Sequence, residues 1–237
     1  MNKVTIGKCT LYLGDCLELL PSLSPCDAIV TDWPYGIKAD SQASKKSGQL
    51  NGAGNRRVAK RDYAPTEWDS APLDVDAVKL VLSCARWKII FGGNYYAMPP
   101  TTCVLVWDKE TNGAFADCEL AWTNLPGAVR RLRHLWNGFA RKGGEARFDH
   151  PTQKPLGVME WCLSHLPPEV NSICDPFMGS GTTGVAVARR GGEFVGIERN
   201  PDYFDLACRR IDDAYRQPDM FVSQPTQAPV EQRALEL

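Results

Sequence analysis

A strand, a glycine-rich turn, a helix and a second strand follow one another directly between residues 172 and 198. The turn reads CDPFMGSGTTG, and the second strand ends in Glu198. Units of this kind form parallel sheets that bind ligands outside the carboxyl ends of their strands. Glycines there allow the backbone to approach a ligand closely. We therefore predict a cofactor site at this turn, with Glu198 accepting hydrogen bonds from ribose hydroxyls.

Strand and helix patterns alternate along the rest of the chain, which favours an α/β fold with a mostly parallel sheet and helices on both faces. The 237 residues are enough for one such domain, predicted to span 1–215. Two stretches lack apolar periodicity: 38–72, expected to be a mobile basic loop, and 124–149, expected to be an irregular insertion. The Pro/Gln-rich residues 216–237 are expected to form a tail.

A second motif, Thr-Asp-Trp-Pro-Tyr-Gly at 31–36, follows a short apolar strand. An exocyclic amine on adenine or cytosine is a poor nucleophile, because its lone pair is delocalised into the ring. The Asp32 carboxylate and the Trp33 carbonyl could each accept one of its N–H bonds and stabilise positive charge developing on the nitrogen. Pro34 would stiffen the turn, and Tyr35 would offer a flipped base a face to stack on.

Each motif also has an alternative explanation when it is considered alone. The glycines could form a tight structural turn or a dinucleotide site, since they satisfy G-x-G-x-x-G. The aspartate turn could be a strand end with an aromatic anchor. The order of the motifs is more specific: Asp-Trp-Pro-Tyr at 32–35, His-Pro-Thr-Gln-Lys-Pro at 150–155 and Asp-Pro-Phe-Met-Gly-Ser-Gly-Thr-Thr at 175–183.

This order resembles the circularly permuted, beta group of DNA amino-methyltransferases, over roughly residues 4–215. The resemblance implies a Rossmann-like fold that binds S-adenosyl-L-methionine, with a seven-stranded, mostly parallel sheet, one strand antiparallel, and the permuted motif order. It also implies site-specific methyl transfer to a base amine. The chain departs from the family at Trp33, where the family has proline, but only the carbonyl of that residue is needed chemically.

The resemblance assigns roles to individual residues. It places Asp15 at the cofactor adenine, Glu198 at the ribose, and the glycine-rich turn with the His-Pro-Thr-Gln-Lys-Pro motif at the methionine end. The segments VWDK and CELAW would flank the acceptor pocket. The predicted catalytic residues are Asp32, Trp33, Pro34 and Tyr35. The predicted cofactor-binding residues are Asp15, Cys16, Thr152, Lys154, Asp175, Phe177, Gly179, Gly181, Thr182 and Glu198.

Basic residues are unevenly distributed, although the formal net charge is only −1. Residues 38–61 hold seven Lys and Arg against one acidic residue, and residues 124–149 hold six against two. Charge runs are often solvated faces, but both of these flank the catalytic half, so we predict contacts with double-stranded DNA. The resemblance also implies that 124–149 is a target-recognition insertion. The predicted DNA-binding residues are Lys45, Lys46, Arg56, Arg57, Arg130, Arg131 and Arg133.

Composition narrows the remaining classes of protein. Nine cysteines without a C-x-x-C, and three histidines at no ligand spacing, argue against a disulfide framework or a metal site and favour a reducing, cytoplasmic setting. The N-terminus has no apolar signal core, and no apolar run reaches the roughly 18 residues of a membrane span. Carbon-5 cytosine methylation is disfavoured because the Pro25-Cys26 pair precedes a strand instead of following one.

Adenine N6 is the expected target, because an aspartate at the first position of the catalytic motif goes mostly with adenine in the resembled group. The alternatives are an N4-cytosine DNA methyltransferase, an RNA adenine methyltransferase and a catalytically silent nucleic-acid-binding subunit. A dinucleotide-dependent oxidoreductase is a more distant one. The sequence leaves open whether the chain forms a homodimer and whether it works beside a companion restriction enzyme.

Overall fold

The computed structural model describes residues 2–37, 69, 71–110, 116–136 and 153–216. Its described strands form one mixed sheet of nine strands in the order β1-β2-β9-β8-β3-β4-β6-β5-β7. Strands β1 and β6 run antiparallel to their neighbours, and the other neighbouring pairs are parallel. The strands are β1 (Asn2–Ile6), β2 (Cys9–Leu13), β3 (Cys26–Asp32), β4 (Ala85–Phe91), β5 (Val104–Asp108), β6 (Cys118–Thr123), β7 (Arg130–Arg133), β8 (Ser172–Asp175) and β9 (Glu193–Glu198).

Helices cover both faces of this sheet. They are α1 (Cys16–Leu19), α2 (Val75–Ser83), α3 (Leu156–Ser164), α4 (Thr182–Arg190) and α5 (Pro201–Arg216), with 3-10 turns at Leu20–Ser22 and Gly93–Tyr95. Successive side chains of a strand point to opposite faces. Accordingly, Ala28 and Val30 of β3 pack in the core with α3, α4 and α5, whereas Ile29 packs in the core with α1 and α2.

The α/β fold and the mostly parallel sheet are confirmed, but the expected strand count is wrong. Seven strands with one antiparallel strand were expected, whereas the described residues form nine, of which β1 and β6 are antiparallel to their neighbours and β1 and β7 lie at the two edges. Strand β7 lies within the stretch expected to be irregular. Its sequence RRLR has a single apolar residue, Leu132, so its pairing with β5 leaves little trace in the hydrophobic pattern.

Several other expectations concern residues beyond the described part. Most of the expected loop at 38–72, residues 137–152 of the expected insertion and residues 217–237 of the tail lie outside it. The boundaries of the domain therefore stay predictions. Within the described residues, no helix is long and apolar enough to cross a membrane.

The order of the strands sets the position of a ligand site. From β8 the chain passes through α4 to β9 on one side, and from β3 through α2 to β4 on the other side. The direction of winding thus reverses between β8 and β3, and ligands bind outside the carboxyl ends of strands at such a point. Asp32 and Asp175 are the last residues of these two strands, and Glu198 is the last residue of β9.

Candidate active site

The glycine-rich turn is anchored on Asp175. Its buried carboxylate accepts hydrogen bonds from the Thr31 hydroxyl (2.6 Å), the Thr183 hydroxyl (2.6 Å) and the Phe177 backbone N–H (3.1 Å). Burial raises the pKa of Asp175 to about 6, although these hydrogen bonds favour the ionised form. Asp175 therefore ties β8 to β3 and to the start of α4, and this bonding gives it a structural role in addition to its place beside the cavity.

Glu198 faces the same turn from the neighbouring strand. Its Oε2 accepts a hydrogen bond from the Gly179 N–H at 2.9 Å, and its Oε1 accepts one from the Asn200 N–H at 2.8 Å. Burial raises the pKa of Glu198, and the two backbone hydrogen bonds lower it. Each carboxylate oxygen can accept a second hydrogen bond, so Glu198 retains capacity for the hydroxyls of a ligand.

Arg210 of α5 holds the turn from behind and was missed by the sequence analysis. Its buried Nη1 donates to the Ser180 carbonyl (2.6 Å), the Ser180 hydroxyl (3.0 Å) and the Thr182 hydroxyl (3.0 Å). The hydroxyl of Thr182, predicted to bind the cofactor, is thus already engaged by the protein. In the sequence, Arg210 resembles any other charged residue of an amphipathic helix, and only its burial reveals its role.

Asp32 and Tyr35, both predicted to be catalytic, lie together at one end of the site, which we call the predicted catalytic end. The Tyr35 hydroxyl donates to Asp32 Oδ1 at 2.6 Å, and the Tyr35 ring stacks on Tyr95 with the ring centroids 4.9 Å apart. Gly92 makes this position of the ring possible, because a Cβ at Gly92 would lie 1.9 Å from Tyr35 Cε1. Burial raises the pKa of Asp32, and Lys154 opposes that effect.

The Trp33 side chain points away from the predicted catalytic end. It is 1% exposed, packs in the core with α2 and lies 4.5 Å from Tyr96, centroid to centroid. The Tyr96 hydroxyl in turn donates to the Pro34 carbonyl, and Asp69 Oδ1 accepts from the backbone N–H groups of Tyr35 (2.7 Å) and Gly36 (2.7 Å). Tyr96 and Asp69 therefore orient the loop at 33–36, and neither residue was predicted from the sequence to do so.

Lys154 lies at Asp32 and carries the strongest charge interactions of the site. It is 8% exposed, its Nζ pairs with Asp32 Oδ2, and Glu119 Oε2 lies 3.0 Å from it on the other side. Lys109 Nζ holds Glu119 Oε1 at 2.5 Å. Burial favours the neutral form of Lys154, but Asp32 and Glu119 outweigh it and raise its pKa to about 12. Burial would likewise raise the pKa of Glu119, but Lys154 and Lys109 lower it to about 2.

One cavity of about 660 Å³ joins the predicted catalytic end to the glycine-rich turn. This volume is typical of a site for a small molecule or cofactor. The predicted site residues along its wall are Asp15, Cys16, Asp32, Pro34, Lys154, Asp175, Phe177, Gly179, Thr182 and Glu198. Lys154 and Asp32 border the same space as Glu198, so one ligand could contact both ends of the site.

Two of these wall residues, Asp15 and Cys16, lie at the start of α1. Asp15 caps α1, its Oδ1 accepting from the Leu17 N–H at 2.8 Å, and burial raises the pKa of the neighbouring Cys16 to about 12, which keeps that thiol neutral. Thr152 lies outside the described residues. Among the residues that are described, no cluster of His, Cys, Asp or Glu could hold a metal ion.

Three of the arginines predicted to contact DNA, Arg130, Arg131 and Arg133, lie on β7, at the edge of the sheet. Arg131 and Arg133 share one face and approach Asp108 Oδ2 at 4.0 and 3.4 Å, whereas Arg130 points to the opposite face. The three therefore do not form a single patch. Lys45, Lys46, Arg56 and Arg57 lie outside the described residues, so the predicted DNA interface is described only in part.

The sheet with its helices, the glycine-rich turn and the acidic strand end together define the Rossmann-like methyltransferase fold. Solved structures agree on the fold: M1.HpyAVI in complex with SAM has a TM-score of 0.53 and 23% identity, covering 86% of this chain and 99% of that one. The PvuII DNA methyltransferase, described as cytosine-N4-specific, has a TM-score of 0.51 and 17% identity, covering 90% and 93%.

Residues 102–209 match the family model of DNA methylases. This segment is therefore similar to the N6/N4 DNA methylases. Its relatives include the Type II methyltransferases M2.LlaDCHI of Lactococcus lactis subsp. cremoris and M2.DpnII of Streptococcus pneumoniae, each 37% identical over 35% of this chain. The matched part spans only 31% of the length of either relative.

Proposed function

We propose that this protein is a DNA methyltransferase that uses S-adenosyl-L-methionine to methylate an exocyclic amino nitrogen, with adenine N6 as the target. The observation that carries the proposal is the single cavity that links the Asp32 carboxylate to the glycine-rich turn and Glu198. The family match over residues 102–209 supports the class of reaction, and the names of the two Type II relatives favour a modification enzyme of that type.

The residues along the cavity suit such a cofactor. Glu198 can accept from ribose hydroxyls with its remaining lone pairs, Phe177 offers an aromatic surface, and Asp15 lies on the same wall. When bound, S-adenosylmethionine supplies an electrophilic methyl group. The neutral thiol of Cys16 and the Thr182 hydroxyl, which is engaged by Arg210, would contribute shape more than charge.

At the other end of the cavity, Asp32 would accept one N–H of the target amine, and the Trp33 carbonyl the other. Both groups are held before the substrate arrives, Asp32 by Tyr35 and the loop by Tyr96 and Asp69. As the nitrogen becomes positively charged, a preorganised carboxylate lowers the barrier, and Asp32 can accept the proton that the amine loses. A base must leave the duplex to reach this depth, and Tyr35 is the ring on which it would stack.

The target atom is the finer part of the proposal. Adenine and cytosine each present one NH₂ beside a ring nitrogen, so Asp32 alone does not discriminate between them. The aspartate at the first position of the motif favours adenine by resemblance. Cytosine N4 is the alternative outcome, since the PvuII enzyme with the same fold is cytosine-N4-specific.

The test is expression of the chain in a methylation-free host, followed by single-molecule sequencing and digestion of the DNA to nucleosides. We expect N6-methyladenine within one short recognition sequence. N4-methylcytosine without N6-methyladenine would contradict the base assignment and leave the reaction class intact. Competition between DNA and RNA substrates in vitro decides between those two acceptors.

The variant Asp32→Ala separates an enzyme from a silent binding subunit. Loss of a preorganised acceptor should lower turnover by about 10²–10³-fold. Calorimetry should find nearly unchanged affinity for S-adenosylmethionine, because the proposed role of Asp32 is to hold the target amine, whereas the ribose is assigned to Glu198 on another strand. A wild-type protein that binds DNA but transfers no radiolabelled methyl group would refute the proposed activity.

A further inference from the structure

Four charged residues of alternating sign lie in a row beside the acceptor pocket: Asp32, Lys154, Glu119 and Lys109. They come from four separate parts of the chain: the end of β3, the segment before α3, strand β6 and the residue after β5. Lys154 contacts both carboxylates, and Lys109 contacts only Glu119. Lys154 is therefore shared between two anions, only one of which has a role in the proposed reaction.

The position of the Lys154 ammonium matters for the substrate. Its Nζ is bound to Asp32 Oδ2, lies 3.4 Å from the Tyr35 hydroxyl and 5.7 Å from the centroid of the Tyr35 ring. The target amine is expected at the same carboxylate, with its base against the same ring. An ammonium and an exocyclic amine are both N–H donors, and Tyr35 already donates to Asp32 Oδ1. A carboxylate oxygen has two lone pairs, but the ammonium also lies beside the Tyr35 hydroxyl and ring, where the amine and its base would approach Oδ2, so the two donors would compete for that position.

Release of Lys154 from Asp32 would leave a buried cation without a partner, which is costly. Glu119 removes that cost, because its Oε2 is already 3.0 Å from the ammonium. Lys109 fixes Glu119 from the far side, and Glu119 is held ionised by its two lysine neighbours. Lys154 can therefore shift its hydrogen bonds from one carboxylate to the other with little movement.

We propose that Lys154 occupies the target-amine position on Asp32 before the base enters, and that Glu119 is the positioning residue that takes over Lys154 when the amine binds. The inference rests on the proposed function, because it needs a base amine at Asp32. It assigns Lys154 to the acceptor end of the cavity, in addition to the methionine end predicted from the sequence.

The test compares the binding of two DNA duplexes in the absence of cofactor. One carries the recognition sequence, and the other has hydrogen in place of the target amino group. For the wild type, a hydrogen bond to a carboxylate should favour the first duplex by about tenfold or more. In Glu119→Gln, Lys154 has only Asp32 to bind, so this ratio should fall towards one, and the single-turnover methylation rate should fall by about tenfold with it.

Two further variants separate this role from a structural one. The double variant Glu119→Gln/Lys154→Met removes the competing ammonium, and it also removes the Glu119 charge that opposes ionisation of Asp32, so the two charge effects on Asp32 offset each other. The ratio and the rate should then rise above those of Glu119→Gln. In Lys109→Met, Glu119 has Lys154 as its remaining lysine partner and should attract it more strongly, so the ratio should equal or exceed that of the wild type. If Glu119→Gln fails to fold, Lys109→Met supplies the test, because Glu119, Lys154 and Asp32 are all retained in it.

A double variant no better than Glu119→Gln, or a Lys109→Met ratio below that of the wild type, would overturn the inference. Failure of the proposed function gives a different result. A wild-type protein that methylates no DNA refutes the function itself. A wild type that methylates DNA, with Glu119→Gln keeping the full ratio and rate, refutes only the role of Glu119 and Lys154.

Discussion

Gly181 offers the sharpest test of how the glycine-rich turn is built, because two explanations for this glycine predict different results. Either the backbone must leave room for the cofactor, or the fold itself requires glycine. Gly181 has φ = +77°, in the left-handed region, and a Cβ there would lie 2.8 Å from the Cβ of the fully buried Ala207 on α5. Carbon atoms pack best at about 3.5–4.0 Å, so α5 would have to move.

The expected cost of Gly181→Ala follows from these two features. An L-residue in the left-handed conformation costs about 1–2 kcal/mol, and overpacking of a core costs about 1–3 kcal/mol. Gly191 supplies the matched control, because it has φ = +75° with nothing within 4 Å of an added Cβ. Gly191→Ala should therefore carry only the conformational cost. Compared with Gly191→Ala, Gly181→Ala should lower the free energy of unfolding by about 1–3 kcal/mol more, which is the cost of overpacking.

Urea denaturation without cofactor measures both values. The additional variant Gly181→Ala/Ala207→Gly removes the opposing methyl group and should recover part of the stability, which also keeps the test valid if the single variant is largely unfolded. Equal destabilisation by Gly181→Ala and Gly191→Ala would refute the reasoning. It would mean that α5 does not constrain the turn and that the glycine serves ligand access instead.

Three further predictions concern the ligand, the DNA and the pH. Calorimetry should show that Glu198→Ala weakens S-adenosylmethionine binding by about 1–3 kcal/mol, whereas Glu193→Ala, at the exposed start of the same strand, should not weaken it. Equal affinities of the two variants would contradict the assignment of Glu198 to the ribose. Replacing the three arginines of β7 by alanine should flatten the slope of log DNA affinity against log salt concentration by about 0.9 for each phosphate that is no longer neutralised. Lys79→Ala on α2 is the control. An unchanged slope and recognition sequence would mean that these arginines are only solvated and do not contact DNA. The pKa of Asp175 is raised from 3.8 to about 6 in the folded protein, so on raising the pH this group ionises first in the unfolded chain. The free energy of unfolding should therefore fall by roughly 3 kcal/mol between these two pH values and then level off. Asp175→Asn should lose this part of the pH dependence, and parallel stability curves for the variant and the wild type would contradict the assignment.

The two motifs and the order of elements could be predicted from the sequence because they depend on local signals. Apolar runs, turn residues and the glycine-rich string indicate where strands and helices begin and end, and β9 begins and ends at Glu193 and Glu198 as the pattern indicates. The residues at strand ends, Asp32, Asp175 and Glu198, could be assigned to one site because parallel strands present their carboxyl ends at one edge. Strand β7 was not predicted, because an edge strand depends more on backbone pairing than on apolar side chains.

Partners distant in the chain were decided only by the tertiary structure. Lys154 reaches Asp32 across 122 residues, and Arg210 reaches Ser180 across 30. Nothing in the local sequence distinguishes a buried lysine that pairs with two carboxylates from a lysine on the surface. The position of the Trp33 ring was likewise decided by the tertiary structure. The ring packs in the core and does not line the cavity, so the departure from the motif of the resembled group at this residue does not change the cavity wall. Local sequence thus determines which groups the site contains, whereas packing decides which of them touch, because burial and charge pairing depend on elements that meet only in the folded chain.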